Sequence, residues 1–388
     1  MNELFTEQEL AQEFELAMRL LYFNSSSTGI MPRRSIEAIE GFLRRYRETD
    51  LMHNAETFYM IARLRANIER LIGAESGTVA LVPNTSVGVN IVASGIPWKS
   101  GDRVLVGSME FPGNTYPWLN QRHSGVATDW LPMTSGKITP EMFESAITPR
   151  TRLFAISSVQ FSDGYRADLS AIAEICHERD IFLFVDGIQS AGALRADVSA
   201  TGIDAFAAGG QKHMLSAYGT GFLYVSPRAM EKLHPAHDGW LSHFTSEEDF
   251  LDLLRHDMPQ APTAQRFEVG SLPYHSLWGM DATLNLLLEF GIDEIEQHNI
   301  GLAGLFCRLL RDFPEIEIAS ERAAFAKSHI VSIAVPSPKE FRAKLRESGV
   351  VCSFREGRLR FSFHIYNTEN QVIALVEAIQ NALMTIKL

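Results

Sequence analysis

Short apolar runs alternate with amphipathic segments along the first two thirds of the chain. Their length and their flanking glycines predict buried strands. These runs are Thr78–Val82, Arg103–Gly107, Arg152–Ser158, Ile181–Val185, Ile203–Ala208 and Gly219–Val225. Helical spacing of apolar residues predicts helices at Ser35–Thr49, Glu56–Ile72 and Leu169–Arg179. Repeated alternation of strand and helix indicates a mostly parallel sheet with right-handed crossovers.

The pattern of predicted elements changes after residue 276, where longer helices alternate with short strands. Helices are predicted at Leu277–Phe290, Ile292–Phe313, Lys339–Glu347 and Thr368–Lys387, and strands at Ser328–Ala334, Val350–Ser353 and Arg358–Phe363. This pattern favours a small α+β domain. We therefore expect an amphipathic N-terminal helix over residues 1–20 that packs on the small domain, a large domain over 21–275 and the small domain over 276–388. Because no Gly/Ser-rich or Pro-rich linker separates the halves, they should pack tightly.

The overall composition narrows the possible partners. A hydrophobic content of 46% and a charged content of 21% over 388 residues are typical of a soluble globular protein. The net charge of −12 argues against nucleic acid or an anionic membrane as a partner. The N-terminus lacks the pattern of a secretory signal, and no apolar run is long enough to span a bilayer. The cysteines Cys176, Cys307 and Cys352 are far apart, which favours reduced thiols and a cytoplasmic location.

Candidate chemistry concentrates in the stretch from Ile181 to Lys212. Its two predicted strands are followed by Asp186 and Lys212, so a carboxylate and an amine are expected at the carboxyl edge of a parallel sheet, where ligands bind. Pyridoxal phosphate needs such a pair, because a lysine forms its Schiff base and an acid keeps its pyridine nitrogen protonated. The alternative is a solvated lysine and an aspartate that caps a helix.

The order of residues around this pair strengthens the cofactor interpretation. Asp186 is followed by Gln189 and Ser190, and Lys212 lies within Gly209–Gly–Gln–Lys–His213. This pattern resembles the class V aminotransferase family of fold-type-I pyridoxal phosphate enzymes, which includes cysteine desulfurases, kynureninases and isopenicillin N epimerases. The resemblance covers nearly the whole chain. It implies an α/β fold with a mostly parallel seven-stranded sheet and a smaller C-terminal α+β domain, pyridoxal 5'-phosphate as the cofactor and a homodimer.

Two further segments are candidates for cofactor binding. Thr85 and Ser86 lie in a small polar turn between a strand and a helix, which favours a bound phosphate. The alternative is that one of them caps the helix. Phe111 lies just past the next strand, and its flat ring suits stacking on a pyridine ring, with a core phenylalanine as the alternative. By resemblance, His at this place is typical of desulfurases and Phe of kynureninases.

The resemblance assigns the remaining cofactor contacts. It implies that Gln189 bonds the phenolic oxygen or the Schiff base, that Gln211 donates to the phosphate and that Gln160 reaches the edge of the cofactor. Ser271, in Arg266–Phe–Glu–Val–Gly–Ser–Leu–Pro273, resembles a hydroxyl that the neighbouring subunit donates to the phosphate; an ordinary turn is the alternative.

Substrate contacts are also expected by resemblance. Arg360, in an Arg-x-Ser pattern, matches the family's arginine for the substrate α-carboxylate, which an arginine can bind with two hydrogen bonds. Asn24 and Ser27 lie in a loop that crosses the mouth of the site in the family; a helix-capping loop is the alternative. Cys352 lies on a predicted strand close to Arg360, which argues against a persulfide role. The histidines His234, His237, His243 and His256 lack the spacing of a metal site.

These observations favour an amino-acid enzyme in which Lys212 forms the Schiff base and moves the proton at Cα. Transamination is placed first, because it needs only Lys212. A kynureninase-like or C–S or selenocysteine lyase type of β-cleavage and an amino-acid epimerase remain open. A cofactor-binding regulator is the non-enzymatic alternative.

Overall fold

The computed structural model describes residues 4–48, 55–133, 136–246, 248–321, 323 and 327–386. Residues 1–3 and the predicted helix ends at Thr49 and Lys387 lie outside these ranges. The helices of the described chain are α1 Glu7–Glu13, α2 Glu15–Arg19, α3 Arg33–Glu48, α4 Ala55–Ile72, α5 Thr85–Gly95, α6 Tyr116–Asn120, α7 Pro140–Ala146, α8 Leu169–Glu178, α9 Val198–Thr201, α10 Pro227–Met230, α11 Tyr274–Phe290, α12 Ile292–Leu309, α13 Pro338–Glu347 and α14 Glu369–Ile386. The strands are β1 Leu21–Tyr22, β2 Val79–Leu81, β3 Arg103–Gly107, β4 Ala127–Leu131, β5 Thr151–Ser157, β6 Phe182–Asp186, β7 Ala205–Gly209, β8 Gly221–Val225, β9 Glu317–Ile318, β10 Ile330–Ala334, β11 Val350–Val351, β12 Ser353–Arg355 and β13 Arg358–Ser362.

A seven-stranded sheet forms the centre of the large domain, with strand order β2-β8-β7-β6-β5-β3-β4. Pairings from β4 through β7 are parallel, whereas β8 runs antiparallel to both of its neighbours. The sheet is therefore mostly parallel, as predicted from the alternating pattern. The fold class inferred from the sequence is confirmed.

Both faces of this sheet are buried, which explains why its central strands are apolar throughout. Along β6, Leu183 and Val185 join the apolar cluster on one face, and Phe182 and Phe184 join the cluster on the other. Side chains alternate across a strand, so an unbroken apolar run fills both layers. α8 covers the first face and α5 covers the second.

The small sheet is antiparallel, with strand order β12-β13-β10-β9. On β13, Leu359 and Phe361 belong to an apolar cluster that also contains residues of α12 and α14. The opposite face is polar: Ser362 accepts a hydrogen bond from the Ser26 main-chain N–H at 2.8 Å, and the Ser332 hydroxyl donates to the Ser162 carbonyl at 2.6 Å. The small sheet thus turns its polar face toward loops of the large domain.

The N-terminal segment contacts several parts of the molecule. Phe5 packs on Phe290 of α11, and Phe14 packs on Tyr366. β1 then pairs in parallel with β11. α11 packs on α3 and α4, and its buried leucines join the core of the large sheet. The division at residues 20 and 275 stays a prediction.

Several predicted elements differ in detail from the structure. The single N-terminal helix is divided into α1 and α2 at Phe14, whose backbone angles (φ −133°, ψ 59°) are not helical. The predicted strand at 350–353 is divided into β11 and β12, with Cys352 between them. The strand β4 was not predicted from the sequence, because it is a partly exposed edge strand without an apolar run. In the part of the chain described here, no helix has the length and apolar character to cross a membrane.

Candidate active site

The sheet brings Asp186 and Lys212 to the same carboxyl edge. Asp186 is the last residue of β6 and pairs in register with Ala207 of the parallel strand β7. β7 ends at Gly209, and Lys212 follows three residues later. The loop before Lys212 is held by the first segment of the large domain, because the Gly29 main-chain N–H donates to the Gln211 carbonyl at 2.9 Å. The two groups predicted to act on one cofactor lie at one site.

The Lys212 amine lies in a poorly solvated environment. Burial lowers its pKa to about 8, and the positive charges of Arg360 and Arg355 act in the same direction, whereas Asp186 opposes them. Lys212 Nζ lies 5.6 Å from the centre of the Phe111 ring. A much larger fraction of this amine is therefore neutral near pH 8 than for a solvated lysine, which favours attack on an aldehyde and proton transfer.

Asp186 is a buried carboxylate with a fixed orientation. Its Oδ1 accepts a hydrogen bond from the Ile188 main-chain N–H at 3.0 Å. Burial raises its pKa to about 6, with a further contribution from the negative charge of Glu110, whereas Lys212 lowers it. The carboxylate is thus ionised at neutral pH and suited to pairing with a protonated ring nitrogen.

The turn before α5 has the groups that a phosphate needs. The helix is capped by Asn84, whose Oδ1 accepts from the Val87 main-chain N–H at 3.0 Å, so Thr85 and Ser86 are not the caps. The Thr85 Oγ1 is buried and has no hydrogen-bond partner. A methyl group added at Gly209 would lie 3.4 Å from this oxygen and 2.6 Å from Gln211 Oε1. Thr85, Gly209 and Gln211 therefore form one small polar cradle at the N-terminus of a helix.

Ser86 is exposed on the same turn. Its hydroxyl lies close to the loop that follows Phe111, because a methyl group added at Gly113 would be 3.4 Å from Ser86 Oγ. Phe111 itself is 42% exposed and is not a core residue. It contacts Phe161 edge-on, with ring centres 5.4 Å apart. A ring face of Phe111 therefore remains accessible for stacking.

Sequence reasoning missed Glu110, which lies directly before Phe111. Its buried carboxylate accepts hydrogen bonds from the Ser157 main-chain N–H at 2.8 Å, from the Asn114 amide at 3.1 Å and from the Gln160 amide at 2.5 Å. Burial raises the pKa of Glu110. Gln160 Nε2 is therefore engaged with Glu110, while its Oε1 is buried without a partner. The only signal in the sequence was an acid three residues after the end of a strand.

A group of buried histidines behind Lys212 was also missed. Gln189 Nε2 donates to the Ser26 carbonyl at 3.1 Å, which turns Gln189 Oε1 toward His213 Nε2 at 3.0 Å. Because the amide oxygen only accepts, His213 carries its proton on Nε2. His329 Nε2 lies 3.3 Å from the same nitrogen, and His364 Nε2 donates to the His213 carbonyl at 2.9 Å. These contacts fix the orientation of the Gln189 amide.

Arg360 is a buried cation held by neutral groups. Its Nε donates to Ser353 Oγ at 3.0 Å, its Nη1 to the Phe161 carbonyl at 2.5 Å and its Nη2 to Ser27 Oγ at 3.0 Å. The side chain is 2% exposed, and burial lowers its pKa to about 9. Within the described chain, no carboxylate forms an ion pair with it. Such a site favours the binding of an anion.

In the described chain, no side-chain hydrogen bond joins either Asn24 or Ser271 to Arg360 or Lys212. Asn24 is half-buried, and its main chain bridges to Ser362, beside the residues that hold Arg360. Ser271 is exposed and lines a mainly apolar cavity of about 400 Å³ together with Val82, Pro83 and Val87. Its predicted role across a subunit interface stays a prediction.

The cysteines are poor candidates for nucleophiles. Cys352 is buried, and burial raises the pKa of its thiol to about 12. Cys176 and Cys307 are buried as well. In the ranges that the structure describes, no cluster of three or more His, Cys, Asp or Glu side chains is arranged to hold a metal.

Together these residues fit pyridoxal 5'-phosphate. Asp186 suits the ring nitrogen, Lys212 the aldehyde, and the unpartnered Thr85 hydroxyl the phosphate. Gly209 matters here, because any side chain at this position would fill the cradle beside Thr85 and Gln211.

Known proteins are similar over most of the chain. An uncharacterized aminotransferase of Bacillus subtilis, YcbU, is 30% identical and covers 81% of this chain and 82% of its own length. A probable cysteine desulfurase of Methanothermobacter thermautotrophicus is 26% identical over 96% of this chain and 97% of its own. The crystal structure of the Escherichia coli cysteine desulfurase CsdA has a TM-score of 0.85 at 23% identity, covering 98% of this chain and 99% of that one, which supports the fold.

The model of the aminotransferase class-V family matches residues 21–375. That range includes the strands of both sheets, Asp186, Lys212 and Arg360. It confirms the resemblance inferred from the residues around Lys212 and the cofactor that the resemblance implies. The chain belongs to the class-V aminotransferase family.

Proposed function

We propose that this protein is a pyridoxal phosphate enzyme that transfers the amino group of an amino acid. The proposal depends above all on one observation, a buried amine of lowered pKa at Lys212 on the same sheet edge as the buried Asp186 carboxylate. The Lys212 amine suits the cofactor aldehyde, and the Asp186 carboxylate suits the protonated nitrogen of the cofactor ring. When bound, the cofactor supplies an electron sink for negative charge at the substrate Cα.

The residues of the chain divide the remaining work. Arg360 is expected to bind the substrate α-carboxylate and so to orient the Cα–H bond. Lys212 would hold the aldehyde of the cofactor, and as a free amine it is expected to take up the Cα proton and later to release it. Phe111 provides an apolar face beside Lys212, and Thr85 with Gln211 holds the phosphate. Asp186 keeps the ring nitrogen protonated.

Transamination needs no group beyond these, because Lys212 serves in both proton transfers. The similarity to the aminotransferase YcbU supports the same choice. We further propose a cytoplasmic homodimer in which Ser271 contributes to the partner's phosphate site.

A lyase that cleaves at Cβ is the second candidate. It is supported by the similarity to a protein named as a probable cysteine desulfurase. A desulfurase that works through a protein persulfide is disfavoured, because Cys352 is buried and the pKa of its thiol is about 12. The lyase candidate is therefore a β-elimination without a cysteine nucleophile.

Two measurements test the proposal. The purified protein should contain a visible chromophore that borohydride bleaches, and Lys212→Ala should abolish the bleachable species. Incubation with single amino acids and 2-oxo acids then separates the reactions: exchange of an amine between two acids supports the transferase, whereas pyruvate released from cysteine or serine supports the lyase. A protein that binds the cofactor but turns over neither set would favour a regulator.

A further inference from the structure

Three arginines lie on one face of the hairpin formed by β12 and β13. Arg360 pairs in register with Ser353, and Arg358 pairs with Arg355. Cross-strand partners point to the same side of a sheet, and residues two apart on a strand share a face. Since Arg360 bonds Ser353, Arg355 and Arg358 belong to the face that carries the proposed carboxylate site.

The charges on this face are only partly balanced. Burial raises the pKa of Asp163 to about 6, and the positive charge of Arg358 opposes this shift. In the described ranges, neither Arg355 nor Arg360 forms an ion pair with a carboxylate. Among the described residues, the Arg355 side chain makes one hydrogen bond, from Nη1 to the Phe354 carbonyl at 2.8 Å, within its own strand. Most of the donors of Arg355 are thus available to a ligand.

Arg355 shares a strand face with Arg360. Burial is the main cause that lowers the pKa of Lys212 and of Arg360, and the positive charge of Arg355 acts in the same direction on both. Arg355 and Arg360 are diagonal neighbours on antiparallel strands, a relation that places the two residues roughly 7–8 Å apart. Two long side chains at that spacing are able to hold the two ends of a small dianion.

We propose that Arg355 binds a second anionic group of the substrate, so that the enzyme acts on amino acids with a side-chain carboxylate. This inference depends on the proposed function, in which Arg360 takes the α-carboxylate. Arg360 would supply the buried half of the site and Arg355 its exposed entrance. An acidic side chain would also balance a positive charge that the described residues leave without a counterion.

Binding of simple acids to the holoenzyme tests the idea without turnover. Glutarate and pentanoate have the same number of carbons and differ in one carboxylate. Calorimetry at low salt should show glutarate binding about tenfold more tightly than pentanoate, a difference of about 1.4 kcal/mol. Arg355→Met should remove this preference, and Arg355→Lys should retain part of it.

Arg358→Met is the matched control, because it removes the same charge from the same face and should keep the preference for glutarate. The inference is overturned if the parent protein does not prefer glutarate, if Arg355→Met leaves the ratio unchanged, or if Arg358→Met abolishes it equally. Circular dichroism confirms that the variants fold. Loss of the borohydride-sensitive chromophore would instead refute the proposed function, and it is read from a separate measurement on the same preparation.

Discussion

Replacing Arg360 with lysine should weaken substrate binding while leaving the cofactor in place. A guanidinium has five N–H donors. Three of those of Arg360 are used by Ser353, Phe161 and Ser27, and at least one on each terminal nitrogen remains for a carboxylate. A lysine ammonium at the same place can donate at most one strong hydrogen bond in the same direction.

The magnitude follows from this count. Each hydrogen bond between charged groups contributes about 1.5–3 kcal/mol, so the loss of one of two should raise KM about 10- to 150-fold. Since the carboxylate is bound equally in the ground state and in the transition state, kcat should change less than KM. The visible spectrum of the bound cofactor should be retained, because Arg360 is assigned to the substrate.

Two substrates isolate the contribution of the bond between Arg360 and the carboxylate. Steady-state kinetics are measured with an amino acid, and cofactor turnover is measured with an alkylamine that lacks the carboxylate. Arg360→Lys should impair the reaction of the amino acid and leave that of the amine unchanged. Arg358→Lys, on the same strand face, is the matched control. The assignment of Arg360 is refuted if both substrates are impaired to the same extent, since the variant would then have damaged the site as a whole.

Three further predictions concern ionisation. The rate at which apoprotein and pyridoxal phosphate form the chromophore should rise with pH and level off above about pH 8, because burial lowers the pKa of Lys212 to about 8. A rate that keeps rising toward the pKa of an ordinary lysine, about 10.4, would contradict this. Burial lowers the pKa of His364 to about 3, below its unfolded value of about 6.5, so the unfolded state takes up the proton first and stability is lost as the pH falls below 6.5. Protonation of His364 in the unfolded state should lower the free energy of unfolding by about 2 kcal/mol at pH 5 relative to pH 7.5. Urea unfolding of His364→Gln should therefore show a decrease between pH 7.5 and pH 5 that is smaller by about 2 kcal/mol. Cys352→Ala should retain full activity, and iodoacetamide should not inactivate the parent protein at pH 8; inactivation that the variant escapes would restore a role for the thiol.

Much of the large domain was predictable because its signals are local. An apolar run such as Phe182–Val185 specifies a strand buried on both faces, whatever lies elsewhere in the chain. A polar residue at the end of such a run, as at Asp186, is then placed at the sheet edge. Edge strands lack this signal, which is why Ala127–Leu131 was missed.

Candidate residues in turns and just past strand ends were harder to interpret, because their residue type was compatible with two different roles. The Thr85 turn had two interpretations, and the structure decided between them by showing that Asn84 provides the cap. Phe111 was compatible with a core position until its exposure was known. In both cases the residue type was visible, whereas its solvation and its hydrogen bonds were not.

The sequence by itself determined the alternation of strands and helices, the placement of Asp186 and Lys212 at the sheet edge and the resemblance to a family. Only the tertiary structure decided what surrounds them. Arg360 is held by Ser27 and Phe161, which lie 333 and 199 positions away, and His213 contacts His329 at a separation of 116. Local patterns report the chemistry of neighbouring residues, but solvation and hydrogen bonding depend on segments that meet only when the chain has folded. For that reason the pKa of Lys212 and the unbalanced charge of Arg360 could be read from the structure alone.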